Sequence, residues 1–209
     1  MNHELSEPPI AASRWRTIAR DWLPTLLLLG LILVARSTLA DHYHVPSGSM
    51  EPNLVPGDHV VVNKAAYGLR IPFSKTVIAL QEAPQPGEVV IFDSPEDGVR
   101  LIKRVVAVGG DQVAVRSGRV WINGEPLVDP RAPARERYGE RDVWLRLDHG
   151  GGPDLVEGRV PEGHVLVLGD HRGNSRDGRF FGTVPVSELY GRAQGVFWRR
   201  STGPTWESL

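Results

Sequence analysis

The chain has 209 residues, no cysteine, and 24 basic against 25 acidic residues, for a formal net charge of −1. The missing cysteines exclude disulfides, thiolate metal sites and cysteine nucleophiles, and leave the compartment open. The even charge balance excludes a global field that would draw the protein to nucleic acid, so no nucleic-acid partner is expected and function must rest on local chemistry.

Arg14, Arg16 and Arg20 precede an uncharged run from Trp22 to Ala35, which ends at Arg36. A membrane-spanning helix needs about 20 apolar residues. The flanking arginines can snorkel, and continuation through Ala40 supplies the length. The pattern predicts a cytoplasmic segment at 1–21 and a single transmembrane helix at 22–40, with the basic side inside and the remainder exported. A cleavable signal peptide with Thr38-Leu39-Ala40 as its cleavage site fits the same features, and a buried core helix is a third option.

Directly after this segment, Pro46-Ser47-Gly48-Ser49-Met50, with Pro52 close behind, sets two serines across one glycine. Serine is a weak nucleophile at neutral pH and needs a base and an oxyanion site. The nine residues from Ala40 to Ser49 reach about 30 Å when extended, which keeps the serine hydroxyls near a lipid surface. Met50, one of two methionines, is expected to line a substrate cleft or to fill the core.

The rest of the chain consists of short β-like runs punctuated by Gly and Pro, with no internal repeat, so the exported domain is expected to be mainly β. Strands are predicted at His59 to Asn63, Glu88 to Phe92, Leu101 to Val108, Gln112 to Arg116, Val120 to Ile122, His164 to Leu168 and Gly195 to Trp198. Asn123-Gly124 signals a hairpin turn. Residues 126–163 turn rich in Pro, Gly and charge, and are expected to form a small loop-rich cap whose one strand is Val143 to Leu147. The catalytic domain is expected over 41–200, and 201–209 reads as a frayed tail.

One strand carries cations among apolar residues. Period-2 alternation over Leu101 to Val108 puts Leu101, Lys103, Val105 and Ala107 on one face and Ile102, Arg104, Val106 and Val108 on the other, so one of the two cations is expected to be buried. Arginine there stays charged, whereas burial can bring a lysine down by ~3 pKa units into the range of a general base. The competing expectation is an edge lysine with its head in water. Seven scattered histidines and no paired metal-ligand spacing predict no metal site and no cofactor.

With the stretch Gly169-Asp170-His171-Arg172-Gly173-Asn174-Ser175-Arg176-Asp177-Gly178-Arg179 the chain resembles bacterial type I signal peptidases, membrane-bound serine proteases with a Ser-Lys dyad that remove signal peptides. The resemblance rests on four blocks in the family's order: the Ser-Gly-Ser-Met-x-Pro segment, Gly87 to Phe92, Ile102-Lys103-Arg104-Val105 leading to Gly109-Gly110-Asp111, and Gly169 to Arg179. It implies an exported mixed β-sheet peptidase domain. It also implies Ser49 as nucleophile, Lys103 as general base, the Ser47 hydroxyl with the Ser49 N–H at the oxyanion, Ser175 as the hydroxyl that orients the lysine, and Asp177 with Arg179 as a structural polar pair.

The implied substrates are signal-peptide-bearing precursors cut after small residues of Ala-x-Ala type, at the lipid bilayer of a bacterial plasma membrane. Gly173 stands where the family usually has Asp, Gly178 where it often has Ser, and His171 replaces a common Asn, so a looser shell around the lysine is expected. His171 invites a Ser-His-Asp reading with Ser49 and Asp170 or Asp177, but the resemblance gives the base position to Lys103, and Asp170 is read as a turn residue bonding backbone N–H groups. Two alternatives remain: a specialised maturation peptidase with the same dyad, and a membrane-tethered β-domain that binds exported chains without cutting them. Oligomeric state is not legible.

Overall fold

A computed structural model describes residues 20–30, 32–33, 40–70, 77–79 and 82–209. Residues 20–30 and 32–33 are helical, with Trp22, Leu23, Leu26 to Leu29, Ile32 and Leu33 exposed. Among the described residues no helix is long and apolar enough to cross a membrane. The remainder of the expected span, residues 31 and 34–39, lies outside the described residues, as do 1–19 of the expected cytoplasmic segment.

The strands run β1 (Ala40–His44), β2 (His59–Asn63), β3 (Leu69–Arg70), β4 (Val77–Ala79), β5 (Val89–Asp93), β6 (Arg100–Val108), β7 (Gln112–Arg116), β8 (Arg119–Ile122) and β9 (Glu125–Pro126). They continue as β10 (Val128–Asp129), β11 (Ala132–Tyr138), β12 (Arg141–Trp144), β13 (Leu155–Arg159), β14 (His164–Leu168), β15 (Val184–Pro185), β16 (Leu189–Arg199) and β17 (Gly203–Ser208). The main sheet has the order β1-β2-β16-β5-β6-β14-β15, with β17 also paired to β16. Smaller sheets are β13-β7-β8-β9, β10-β11-β12 and β3-β4.

β16 is long enough to serve three partners. Arg192 to Trp198 pair with β2 on one side, while on the other Leu189 to Ala193 pair with β5 and Gly195 to Arg199 pair with β17. The expected frayed tail is therefore a strand. Its burial alternates weakly because one side is solvated, so it lacked the apolar signal of a core strand.

Residues 126–163 also hold more order than expected: β10 to β13 lie there, not one strand over Val143 to Leu147. The arginine-rich β11 (Ala-Pro-Ala-Arg-Glu-Arg-Tyr) has an exposed face, and its pairing to β12 and β10 makes it a strand without apolar alternation. Tyr138, Val143, Leu145 and Val160 from this stretch share one buried cluster with Val106, Val113, Val115, Val120, Leu166 and Leu168. The Asn123-Gly124 turn forms as predicted, both residues at positive φ, between β8 and β9.

The two faces of the main sheet carry separate apolar clusters. Met50, Leu54, Val60, Val62, Val89, Ile91, Ile102, Ala193 and Val196 lie in one, and Ala66, Tyr67, Val90, Phe92, Val105, Val165, Val167 and Leu189 in the other. Met50 is fully buried, which corrects its assignment to a substrate cleft: its thioether anchors the serine segment in the core. Alternation along β6 holds to Val106 and then fails. Val105 pairs with Val167 and Ala107 with Leu166, so Val106 is an extra residue, and Ala107 joins the cluster of Val106 while Val108 packs with Val105.

Candidate active site

The serine segment sits in the loop that joins β1 to β2. Val45 and Asp58 close that loop by backbone bonds, Asp58 is further held by Arg199 at 2.6 Å, and Met50 and Leu54 pin it to the core. Gly48–Met50 form one 3₁₀ turn, closed by the Glu51 N–H on the Gly48 carbonyl at 3.1 Å. This turn packs against β6 and against the 3₁₀ turn Arg172–Asn174.

There the Lys103 Nζ donates to the Ser49 Oγ at 2.6 Å, and the Ser47 Oγ lies 3.3 Å from the Ser49 Oγ. Lys103 is 3% exposed and Ser49 7%. Burial lowers the Lys103 ammonium from its ordinary 10.5 to about 8; Asp177 and Asp170 pull in the opposite direction, and Arg179 adds to the lowering. An amine that is partly neutral near pH 7 to 8, within hydrogen-bonding reach of a serine hydroxyl, can accept the serine proton.

Lys103 and Arg104 are both buried, not one of the two. Arg104 donates to Asp170 from Nε at 2.9 Å and from Nη2 at 2.8 Å, and to the Gly87 carbonyl at 2.7 Å. The reading of Asp170 as a turn acceptor for backbone N–H groups is thereby corrected: the partners of its carboxylate are the Arg104 guanidinium and the Asn53 amide, the latter at 2.8 Å. Asn53 also donates to the Trp144 carbonyl at 2.7 Å, which ties the serine loop to the 144–146 stretch. Sequence alone gave Asn53 no role; its one signal was its position just past the Ser-Gly-Ser-Met-x-Pro run.

Asp177 and Arg179 form the expected pair. The carboxylate caps the short helix Gly178–Phe181, accepts from Gly169 N at 3.0 Å, and is gripped by Arg179 through bonds of 2.8 Å from Nε and from Nη2. Arg179 further donates to the carbonyls of Gly151 and Arg172.

Ser175 reaches the site but does not make the hydrogen bond to the lysine expected of it. Its buried Oγ has no hydrogen-bond partner among the described residues. It packs beside Gly169, where a β-carbon would lie 2.2 Å from the Ser175 Oγ and 2.5 Å from the Ser49 carbonyl oxygen.

The departures at Gly173 and Gly178 do not loosen the site. A β-carbon at Gly173 would lie 2.1 Å from the His149 carbonyl oxygen, and one at Gly178 would lie 2.6 Å from Leu166 Cδ1. Backbone and core fill the volume that side chains would take.

His171, set aside as a base, is nevertheless at the site: its backbone N–H donates to the Ser49 carbonyl at 3.1 Å, and its ring nitrogens face the Gly48 carbonyl and Asp148, not a serine hydroxyl. The histidine spacing predicted no metal cluster, yet the fold brings donor atoms of Asp148, His149 and His171 within 4.8 Å of one another. Within that group Asp148 Oδ2 holds the Arg146 guanidinium at 2.7 Å.

Residues 19–198 match the family described as "Signal peptidase, peptidase S26". The chain is 35% identical over 196 residues to a signal peptidase I of Pseudomonas fluorescens, with 81% of this chain and 69% of that protein covered. To a signal peptidase I of Pseudomonas aeruginosa it is 33% identical over 196 residues, with the same coverage. A crystal structure of a signal peptidase I from Enterococcus faecalis covers 54% of this chain and 98% of its own, at 29% identity and a TM-score of 0.39. The reach of the family match and the identity to such relatives place this chain in the signal peptidase family, peptidase S26.

Proposed function

We propose that the protein removes N-terminal signal peptides from exported precursors as a serine endopeptidase, with Ser49 and Lys103 as its catalytic dyad. The observation that carries the assignment of the dyad is the 2.6 Å contact between the Lys103 Nζ and the Ser49 Oγ in a buried site. Neutral Lys103 takes the Ser49 proton as Oγ bonds to the scissile carbonyl carbon. The oxyanion is held by the Ser47 hydroxyl and the Ser49 N–H, and each such donor contributes about 3 kcal/mol in a preorganised site. The carbon–nitrogen bond then breaks, and the leaving amine takes the proton from the Lys103 ammonium. Water attacks the acyl-enzyme while Lys103 accepts its proton, and that proton returns to Ser49 Oγ as the ester breaks.

Residues 22–40 are the membrane anchor in this reading and hold the domain at the outer face of a bacterial plasma membrane. Residues 41–209 form the peptidase, with 126–163 inserted as a cap and β17 in its main sheet. The arginines at 14, 16 and 20 on the inner side and the short reach from Ala40 to Ser49 support this topology. Substrates are cut after small residues of Ala-x-Ala type. The test is cleavage of one labelled secretory precursor by the detergent-solubilised full chain, with the cut mapped. Cleavage after the Ala-x-Ala site by the wild type, and its loss in Ser49→Ala and in Lys103→Ala, is the expected result; cleavage that survives both substitutions would refute the dyad.

A further inference from the structure

His171 holds two consecutive peptide units of the serine turn. Its backbone N–H donates to the Ser49 carbonyl at 3.1 Å, and its Nδ1 lies 3.3 Å from the Gly48 carbonyl oxygen. A carbonyl can only accept, so Nδ1 is the donor. The Gly48 carbonyl and the Ser49 N–H belong to the same planar unit, and this peptide is trans, so the two dipoles point in opposite directions. Whatever fixes the direction of the Gly48 C=O therefore fixes the direction of the Ser49 N–H.

The ring is itself held. It is 2% exposed, its Nε2 lies 2.7 Å from Asp148 Oδ1, and it stacks on His149 with centroids 5.0 Å apart and planes at 21°. Glu51 Oε2 lies 4.0 Å from Nδ1, and Arg146 bridges Glu51 and Asp148 across the outer side. Below the ring, backbone bonds from Arg146 N to the Asp170 carbonyl and from Arg172 N to the Arg146 carbonyl lock residues 170–172 to this stretch. Asp148 Oδ1 lies against Nε2 without a hydrogen bond that Nε2 makes among the described residues, so the one oxygen the ring bonds is that of Gly48.

We propose that His171 is a positioning residue: by donating from Nδ1 to the Gly48 carbonyl, it aims the Ser49 N–H at the oxyanion of the tetrahedral intermediate. The proposal rests on the reading of Ser49 as nucleophile. The Glu51 N–H shares the same carbonyl, so removal of the ring loosens the peptide without freeing it.

His171→Leu and His171→Asn are the decisive pair, since the two side chains are alike in shape and only asparagine can donate. The full chain is assayed in detergent on a peptide that spans an Ala-x-Ala site, and a peptide aldehyde, which forms a tetrahedral adduct with serine, reports oxyanion binding directly. His171→Leu is expected to lower kcat about tenfold with KM within about twofold, and to weaken the aldehyde by the same factor as kcat. His171→Asn is expected to stay within about threefold of wild type in both. A merely structural role would not separate two variants of equal melting temperature. Asp148→Ala, at an exposed position, removes the carboxylate 2.7 Å from Nε2 without touching the core and is expected to lower kcat about threefold.

Wild-type kcat in His171→Leu, equal losses in Leu and Asn, or a loss confined to KM overturns the proposal. If His171→Leu does not fold, unchanged kcat in Asp148→Ala overturns it. When the wild type cleaves, Ser49→Ala does not and His171→Leu matches the wild type, this inference alone falls. Full activity in Ser49→Ala removes the reading beneath it as well.

Discussion

Lys103 and Arg104 are neighbours on β6, both buried on opposite faces of the sheet, and each meets a different kind of partner. Arg104 meets the Asp170 carboxylate through two bonds, whereas Lys103 meets the Ser49 hydroxyl. Burial weakens both cations. At Arg104 burial is the largest single influence, but the Asp170 charge and its hydrogen bonds together outweigh it and hold the guanidinium ionised, while at Lys103 burial wins over Asp177 and Asp170. A fixed charge and a labile proton thus sit one residue apart.

That labile proton sets the first prediction. The free enzyme is active when Lys103 is neutral, so kcat/KM should rise about tenfold per pH unit below the lysine pKa, bend near pH 8, and level off above pH 9. A profile flat from pH 6 to 10 on a peptide substrate would count against Lys103 as the base.

The same burial lowers stability. An unfolded lysine titrates near 10.5 and the folded one near 8, so between those values the unfolded chain binds the extra proton and stability rises with pH. Below pH 8 the folded state carries the whole penalty, on the order of 3 kcal/mol. Lys103→Met should therefore abolish cleavage and raise the urea midpoint at pH 7, with the advantage gone above pH 10.5. A variant less stable than wild type at pH 7 would contradict this.

Asp170→Ala should have the opposite effect, because it leaves Arg104 charged, buried and unpaired and also removes a partner of Asn53. The expected loss is about 3–5 kcal/mol of unfolding free energy in urea titration. A loss below about 1 kcal/mol would mean that water reaches the guanidinium.

Gly169→Ala should lower kcat by about 10² or more, as the added methyl pushes the Ser49 carbonyl out of line. Ser175→Gly in the same chain should fail to restore it, since the methyl would still meet the Ser49 oxygen at 2.5 Å. Restored turnover in the double variant would place the conflict at Ser175 alone. Ser175→Ala by itself should leave stability unchanged or raise it by about 1 kcal/mol, because the Ser175 Oγ is buried without a hydrogen-bond partner among the described residues.

The parts of this fold legible in sequence are those where apolar spacing and burial coincide. His59–Asn63, Gln112–Arg116 and His164–Leu168 lie where alternation and turn residues put them. β11 and β17 escaped, and β12 was read two residues late, because strand pairing, not apolar spacing, holds polar residues extended there. The Val106 bulge escaped because it is set by the register against β14, a partner remote in sequence. Ser49 and Lys103 were legible as a pair only through the resemblance to a family, since no local pattern joins residues 54 apart. The support from Asn53, Asp170 and His171 comes from loops whose approach no local pattern encodes.

The place of β16 between β2 and β5 bears on the order of assembly. Ser49 precedes β2 and Lys103 lies on β6, and in the main sheet the β1–β2 pair joins the β5–β6 pair only through Leu189 to Trp198, near the end of the described chain. As the chain leaves the ribosome, its two reactive side chains ride on separate pieces of sheet. The strand that brings them together is made after both of them, so the dyad is assembled only once β16 has left the ribosome.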